Sequence, residues 1–113
     1  MRFIVCFDND RIVGFAAFMF DIEDKRPVLY LYELQVIKDY QHYGLGHFLM
    51  SLLEQIAKNV GMSHVMLTVF THNEIAMNFY LKKCSYVIDS FSPSKSGKTG
   101  FDYEILSKKS LVN

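Results

Sequence analysis

Gln41–Phe48 reads Q-H-Y-G-L-G-H-F, with two glycines separated by one residue immediately ahead of a change in hydrophobic period. Downstream, Leu45, Phe48, Leu49, Leu52, Leu53, Ile56 and Val60 recur at intervals of three and four, which predicts an amphipathic helix, with Gly61 as its stop. Upstream, V-L-Y-L-Y-E-L-Q-V-I over 28–37 alternates Leu29 and Leu31 with Tyr30 and Tyr32, the period of a strand with one core face and one polar-aromatic face. The glycines therefore sit at a strand-to-helix junction. Gly44 and Gly46 permit unusual φ and close approach of the backbone, and the free N–H groups of a first helical turn favour an anion such as phosphate. A tight turn with no ligand is the other reading of the same residues. A dinucleotide fingerprint is excluded because the third glycine is replaced by Leu49 or Met50. S-G-K-T at 96–99 makes no P-loop, since Ser92 stands where that motif needs glycine and a strand follows.

The remaining chain reads as six further elements. Residues 2–7 and 12–20 form a hairpin around the turn cluster D-N-D-R at 8–11. D-I-E-D-K-R-P at 21–27 reads as a charged loop, with Pro27 arguing against regular structure. H-V-M-L-T-V-F-T at 64–71 is an apolar strand, and Asn73 caps a second helix bearing Ala76, Phe79 and Tyr80, with Lys82 and Lys83 in its last turn. Y-V-I at 86–88 is a short strand, 90–100 a mobile loop by composition, and 101–106 a closing strand. The order β-β-β-α-β-α-β-β predicts an α/β fold, a mixed sheet with two helices, in one domain over 1–113.

The 113 residues are 50% apolar and carry 12 basic and 12 acidic side chains, so no net charge marks the chain as a nucleic-acid binder. No run reaches membrane-spanning length, and the apolar start breaks at D-N-D-R too early for a signal segment, which leads to the expectation of a soluble intracellular protein. Cys6 and Cys84 lie far apart in apolar surroundings and read as buried thiols of a reducing compartment. His42, His47, His64 and His72 show no metal-ligand spacing, and no metal is expected.

Q-H-Y-G-L-G, followed later by N-E-I-A-M-N-F-Y at 73–80, resembles the two halves of the acetyl-coenzyme A site of the GNAT acetyltransferase superfamily. The stretches F-D-I-E, V-L-Y-L-Y-E-L-Q-V, G-L-G-H-F-L, V-M-L-T-V-F-T-H-N, S-P-S-K-S-G and Y-E-I-L-S-K-K together look like the N-alpha-acetyltransferase D family (NatD), from about Phe3 to Lys109. That resemblance implies a GNAT-like mixed sheet with helices packed on it, acetyl-coenzyme A as co-substrate, and transfer to the N-terminal amine of histone four and histone two-A tails beginning Ser-Gly-Arg-Gly. It implies a nuclear and cytoplasmic monomer without direct nucleic-acid or membrane partners. By the same resemblance Glu33 is the catalytic base; Tyr80, a tyrosine usual in other GNAT enzymes, is the candidate acid for the leaving thiolate and reads equally as a core helix tyrosine. The backbone of Leu34, Gln35 and Val36 faces the acetyl and pantetheine end. Gln41, His42, Tyr43, Gly44, Leu45 and Gly46 hold the pyrophosphate, and Asn73 and Phe79 line the cofactor. Tyr30, Tyr32 and Tyr103 wall the peptide pocket, and Asp21 and Glu23 meet the basic tail. The chain departs from the family in having no tryptophan, in beginning inside the fold so that an N-terminal segment is expected to be missing, and in Tyr80, where NatD has phenylalanine.

Without the resemblance each residue has a plainer reading. Glu33 is also an edge-strand glutamate in a salt bridge, the tyrosines are also ordinary strand aromatics, and the acidic stretch is also a solvated loop. Strict alternation puts Glu33 with Leu29 and Leu31, away from the tyrosines, and only a β-bulge near 33–35 brings it to their face. Three functions stay open: an N-terminal acetyltransferase, a GNAT enzyme for another amine such as a lysine side chain or small amine, and a non-catalytic acetyl-coenzyme A-binding module.

Overall fold

The computed structural model describes residues 1–110; the last three residues of the 1–113 span lie outside the described residues. The elements are β1 (Arg2–Asp8), β2 (Arg11–Glu23), β3 (Arg26–Val36), a 3₁₀ turn at Lys38–Tyr40, α1 (Leu45–Val60), β4 (His64–Phe70), α2 (Glu74–Asn78) running into a π turn at Phe79–Lys83, β5 (Val87–Ile88), a 3₁₀ turn at Pro93–Ser96, and β6 (Tyr103–Lys109). One sheet of order β1-β2-β3-β4-β6-β5 holds all six strands. The β3–β4 pair is parallel and the others are antiparallel. This is the mixed sheet with two helices expected from the element order.

Two expectations about loops do not hold. The segment 21–27 is a tight hairpin: β2 runs to Glu23, β3 starts at Arg26, and Asp24 and Lys25 make the turn at φ 51° and 63°, the positive pair that matches strand twist. Pro27 fits inside β3 because pairing with β4 begins only at Val28, so its missing N–H breaks no bond of the parallel ladder. The segment 90–100 is not uniformly loose. Ser92 and Pro93 are buried, and the Ser92 and Ser94 hydroxyls donate to the two Glu104 carboxylate oxygens at 2.8 and 3.0 Å.

The third departure is in α1. Its buried stripe is Leu49, Met50, Leu53 and Ala57, whereas Phe48 and Val60 are 54% and 52% exposed. The stripe meets Ala16, Phe18, Leu29, Leu31, Val65, Leu67 and Leu106 on one face of the sheet. Gly61 ends the helix at φ 82°, with the Met62 N–H reaching the Ala57 carbonyl at 2.9 Å, the expected left-handed stop.

The bulge lies in β3. Ala17 pairs with Glu33 and Phe18 with Leu31, leaving Tyr32 as the extra residue. Before it, Leu29 and Leu31 stand on the helix-covered face, opposite Phe20 and Phe18. After it, Leu34 faces Ala16 there and Glu33 goes to the other side. The bulge expected near 33–35 thus sits at Tyr32, one residue before that window, and puts Glu33 on the face of Tyr30.

Candidate active site

Parallel pairing of β3 with β4 runs from Val28–His64 to Leu31–Leu67 and stops. Beyond it β3 follows β2 as far as Val36, and β4 follows β6 as far as Phe70. The two strands diverge into a slot whose facing backbone edges lack a strand partner. Such edges accept an extended, amide-bearing chain in the manner of an added strand. The end of β3 leads through the 3₁₀ turn to α1, whose N-cap is Gly44 at φ 80° with no side-chain cap and no acidic residue in the first turn. The first intrahelical bond, Phe48 N–H to Gly44 carbonyl at 2.9 Å, leaves the N–H groups of Leu45, Gly46 and His47 without a helical acceptor. Together with the dipole of a 16-residue helix they form an anion seat at the head of the slot.

The two glycines have different reasons. A Cβ on Gly44 meets no atom within 4 Å, so the requirement there is the left-handed backbone and an open approach. A Cβ on Gly46 comes within 3.2 Å of the Phe79 ring, so Gly46 is a packing residue that lets the helix start against the π turn. Gly44→Val strains a β-branched residue at positive φ by about 1–2 kcal/mol and disturbs the donors. The expected outcome is a folded variant with at least tenfold weaker acetyl-coenzyme A affinity by calorimetry; unchanged affinity would refute the seat.

Gln41 turns its amide back to the Val36 carbonyl at 2.9 Å, bracing the turn, while His42 and Tyr43 are exposed. Leu34 packs toward the core, and with Gln35 and Val36 it contributes backbone to the slot. On the far flank of the turn, an open surface depression of about 770 Å³ lies between β1 and α1, lined by Cys6, Phe7, Tyr43 and Phe48 among others.

The uncovered face holds most of the other expected residues. Tyr30 and Tyr32 rings lie 5.3 Å apart, and the Tyr30 hydroxyl is hydrogen-bonded to Thr68 of β4, just where the strands part. Burial raises the Tyr30 hydroxyl pKa; the bond to Thr68 opposes this, and Glu23, Tyr32 and Tyr103 add to it. Those three are therefore electrostatic neighbours of Tyr30. Tyr103 pairs with Phe70 in the sheet, and the Glu33 carboxylate accepts from Gln35 Nε2 at 3.4 Å. Asp21 pairs with Val28 and accepts from the Ile22 N–H at 2.7 Å, toward the closed end of the sheet. Sequence reasoning missed Thr68, although it is the one polar side chain within V-M-L-T-V-F and alternation sets it on the side of Met66 and Phe70.

Across the slot, the Asn73 side-chain oxygen accepts from the Ala76 N–H at 3.2 Å and caps α2 as expected. The chain then widens: the Cys84 N–H reaches the Phe79 carbonyl at 3.0 Å, an i→i+5 bond that ends the π turn. Phe79 and Tyr80 rings meet edge to face at 5.1 Å. Burial pushes the Tyr80 hydroxyl up to about 12, so the phenol stays protonated at neutral pH.

The fold that carries the slot has counterparts among known proteins. A family model described as the acetyltransferase (GNAT) family matches residues 1–86. The chain belongs to the GNAT acetyltransferase family. Among GNAT relatives it is 31% identical over 85 residues to N-alpha-acetyltransferase 30 of Schizosaccharomyces pombe, covering 73% of this chain and 57% of that one. It is 28% identical over 87 residues to a beta-lysine N(6)-acetyltransferase of Methanococcus maripaludis, covering 77% and 31%. The chain thus spans 31% and 57% of the length of these curated relatives. Two solved GNAT structures share the fold. PaiA N-acetyltransferase of Thermoplasma acidophilum, in complex with coenzyme A, has a TM-score of 0.75 at 23% identity, covering 95% of this chain and 59% of that one. Arabidopsis thaliana Naa50, with the bisubstrate analogue CoA-Ac-MVNAL, has a TM-score of 0.73 at 25% identity, covering 94% and 71%.

Proposed function

We propose that the protein transfers an acetyl group from acetyl-coenzyme A to the N-terminal α-amine of a protein, and that its acceptor is the Ser-Gly-Arg-Gly tail of histone four and histone two-A. The observation that carries the reading is the bulge at Tyr32, which turns Glu33 onto the tyrosine face beside the open slot. Family membership supports acetyl transfer, and the likeness to N-alpha-acetyltransferase 30 and Naa50 supports an N-terminal amine. The step to NatD rests on Tyr-x-Tyr-Glu at 30–33 and Tyr-Glu-Ile-Leu at 103–106. In this reading the protein works as a monomer in nucleus and cytoplasm, without a metal.

The residues fit acetyl-coenzyme A. The donors of Leu45, Gly46 and His47 hold the pyrophosphate, with Gln41 bracing the turn, His42 and Tyr43 on its outer side, and Gly44 leaving the approach open. The backbone of Leu34–Val36, on the edge that β4 leaves, takes the pantetheine amides, and Asn73 and Phe79 close the opposite side. Acetyl-coenzyme A supplies an acetyl thioester, whose C–S bond is exchanged for a C–N bond as a thiolate leaves. Glu33 removes the amine proton, directly or through one water; an α-amine with a pKa of about 7.7–8.0 gives it up far more readily than a lysine near 10.4. Tyr80 steadies the departing sulfur by hydrogen bonding. Full proton transfer from a phenol near 12 to a thiolate near 8.5 is uphill by about 5 kcal/mol, so the thiolate takes its proton elsewhere. Tyr30, Tyr32 and Tyr103 wall the first acceptor residues, and Asp21 and Glu23 meet the arginine.

A second reading, transfer to a lysine side chain or small amine, is favoured by the likeness to the beta-lysine enzyme. A Ser-Gly-Arg-Gly peptide with a free N-terminus is expected to be acetylated, and the same peptide with a blocked N-terminus is not. Equal turnover on the blocked peptide with an added lysine selects the second reading. Cofactor binding without turnover on any amine makes the chain a binding module.

A further inference from the structure

The Tyr80 ring is supported from behind by a cluster outside the slot. Tyr86 is 2% exposed, its N–H donates to the Tyr80 carbonyl at 2.9 Å, and its ring meets the Tyr80 ring at 6.1 Å. The Tyr86 hydroxyl donates to Glu54 Oε2 of α1 at 3.0 Å. The other oxygen of the same carboxylate accepts from Lys108 Nζ of β6 at 3.1 Å, and Lys108 also donates to the Cys84 carbonyl at 3.0 Å. One carboxylate thus joins the helix, the closing strand and, directly at Tyr86 and through Lys108 at Cys84, both ends of the three-residue step that follows the π turn. Between those ends Ser85 stands at φ 63°, a left-handed conformation that a non-glycine residue keeps only when its surroundings impose it. A π turn held by side-chain ties from two other elements, with a strained residue at its exit, is a device for fixing where the turn's side chains lie.

We propose that Glu54 is a positioning residue which, through Tyr86 and with Lys108, holds Tyr80 in register with the slot. The inference rests on the reading of Tyr80 as the hydrogen-bond donor to the leaving sulfur. Neither Glu54 nor Tyr86 touches the reacting atoms; both act through the backbone and ring of Tyr80.

The experiment is a double-mutant cycle on the full chain, with acetyl-coenzyme A and the free-amine peptide, combined with amide exchange on the ligand-free protein. Tyr86→Phe removes one hydroxyl and keeps the ring; Glu54→Ala removes the anchor from a partly exposed helix position that tolerates alanine; Glu54→Gln keeps an acceptor. Tyr86→Phe and Glu54→Ala are expected to lower kcat about three- to tenfold, with KM for acetyl-coenzyme A within about twofold and partial recovery in Glu54→Gln. In the Tyr80→Phe background the same changes are expected to cost less than about 1.5-fold, since residues acting through one group are not additive. Without ligand, exchange at the Cys84 and Tyr86 amides is expected to quicken at least about tenfold in Glu54→Ala. Losses that multiply fully in the Tyr80→Phe background, or unchanged exchange, overturn the positioning role and leave Tyr80 in place. Wild-type kcat in Tyr80→Phe alone overturns the reading of Tyr80, and the positioning role with it.

Discussion

Glu33→Gln is expected to lower turnover on a free-amine Ser-Gly-Arg-Gly peptide by about a hundred- to ten-thousandfold at neutral pH, the usual loss when a general base is removed. Glutamine keeps the shape of the side chain and an oxygen able to accept from Gln35, so the fold and the bulge should survive. Acetyl-coenzyme A affinity should change by less than about twofold, because the phosphate seat proposed for it is the helix start at Gly44–His47 and not β3. Part of the loss should return on raising the pH. With an α-amine pKa of about 7.7–8.0, the neutral fraction climbs from about a tenth at pH 7 to about nine-tenths at pH 9, a gain of less than tenfold. The measurement is a pH–rate profile of both forms under saturating cofactor. A variant that turns over like wild type at pH 7 would make Glu33 an ordinary strand glutamate.

The second large effect concerns stability. Asp89 is 3% exposed and receives four donors: both Arg26 Nη atoms at 3.1 and 3.0 Å, the Ser107 hydroxyl at 2.7 Å and the Phe91 N–H at 3.0 Å. It ties the start of β3 to β6 across β4, at the end of the sheet opposite the slot. Asp89→Ala strands the guanidinium and the hydroxyl; because the Arg26 side chain keeps 22% of its surface in water, the loss falls at about 3 kcal/mol, the low end for breaking a buried pair. For a chain of this size that is a fall in Tm on the order of 10–20 °C. Burial alone pushes the carboxyl up, but the hydrogen bonds from Arg26, Ser107 and Phe91 outweigh it and hold the pKa at about 2, below the ordinary 3.8. The folded pKa lies below the unfolded one, so this stabilisation is complete above about pH 4 and is lost as the pH falls through about 2. The acid unfolding curve should therefore steepen in that window for the wild type and lack that component in Asp89→Ala. A Tm within about 2 °C of wild type would show that the clasp is incidental.

The elements legible in the sequence were those with a strong local signal. The period change at Leu45, the turn glycine at Gly61 and the cap at Asn73 each correspond to an observed feature. What was hidden depended on partners. Pro27 looked like a loop residue because its own chemistry removes a donor, and only the register of β4 shows that no donor is needed there. Phe48 looked buried because it falls on the apolar stripe, but the sheet under α1 favours the side bearing Met50 and Ala57. The composition of 90–100 could not reveal that Glu104, a dozen residues on, gathers Ser92 and Ser94. The candidate site was legible as a set of residues. The Tyr30–Thr68 bond, the packing reason for Gly46 and the support behind Tyr80 were not, because each joins elements distant in sequence.

The extra residue in β3 makes the strand a counter with two settings. Up to Leu31 the odd positions are oily and face the helices; from Glu33 onward the even ones are. Removing Tyr32 would restore a single parity throughout and still leave Glu33 on the tyrosine face and Leu34 under α1. Keeping Tyr32 but pairing it in regular alternation would instead drive the carboxylate of Glu33 under α1 and expose Leu34 to water, with every side chain still present. Where that carboxylate points depends on a count as much as on an identity. The strand accommodates its second tyrosine without turning the acid inward only because one residue is left out of step.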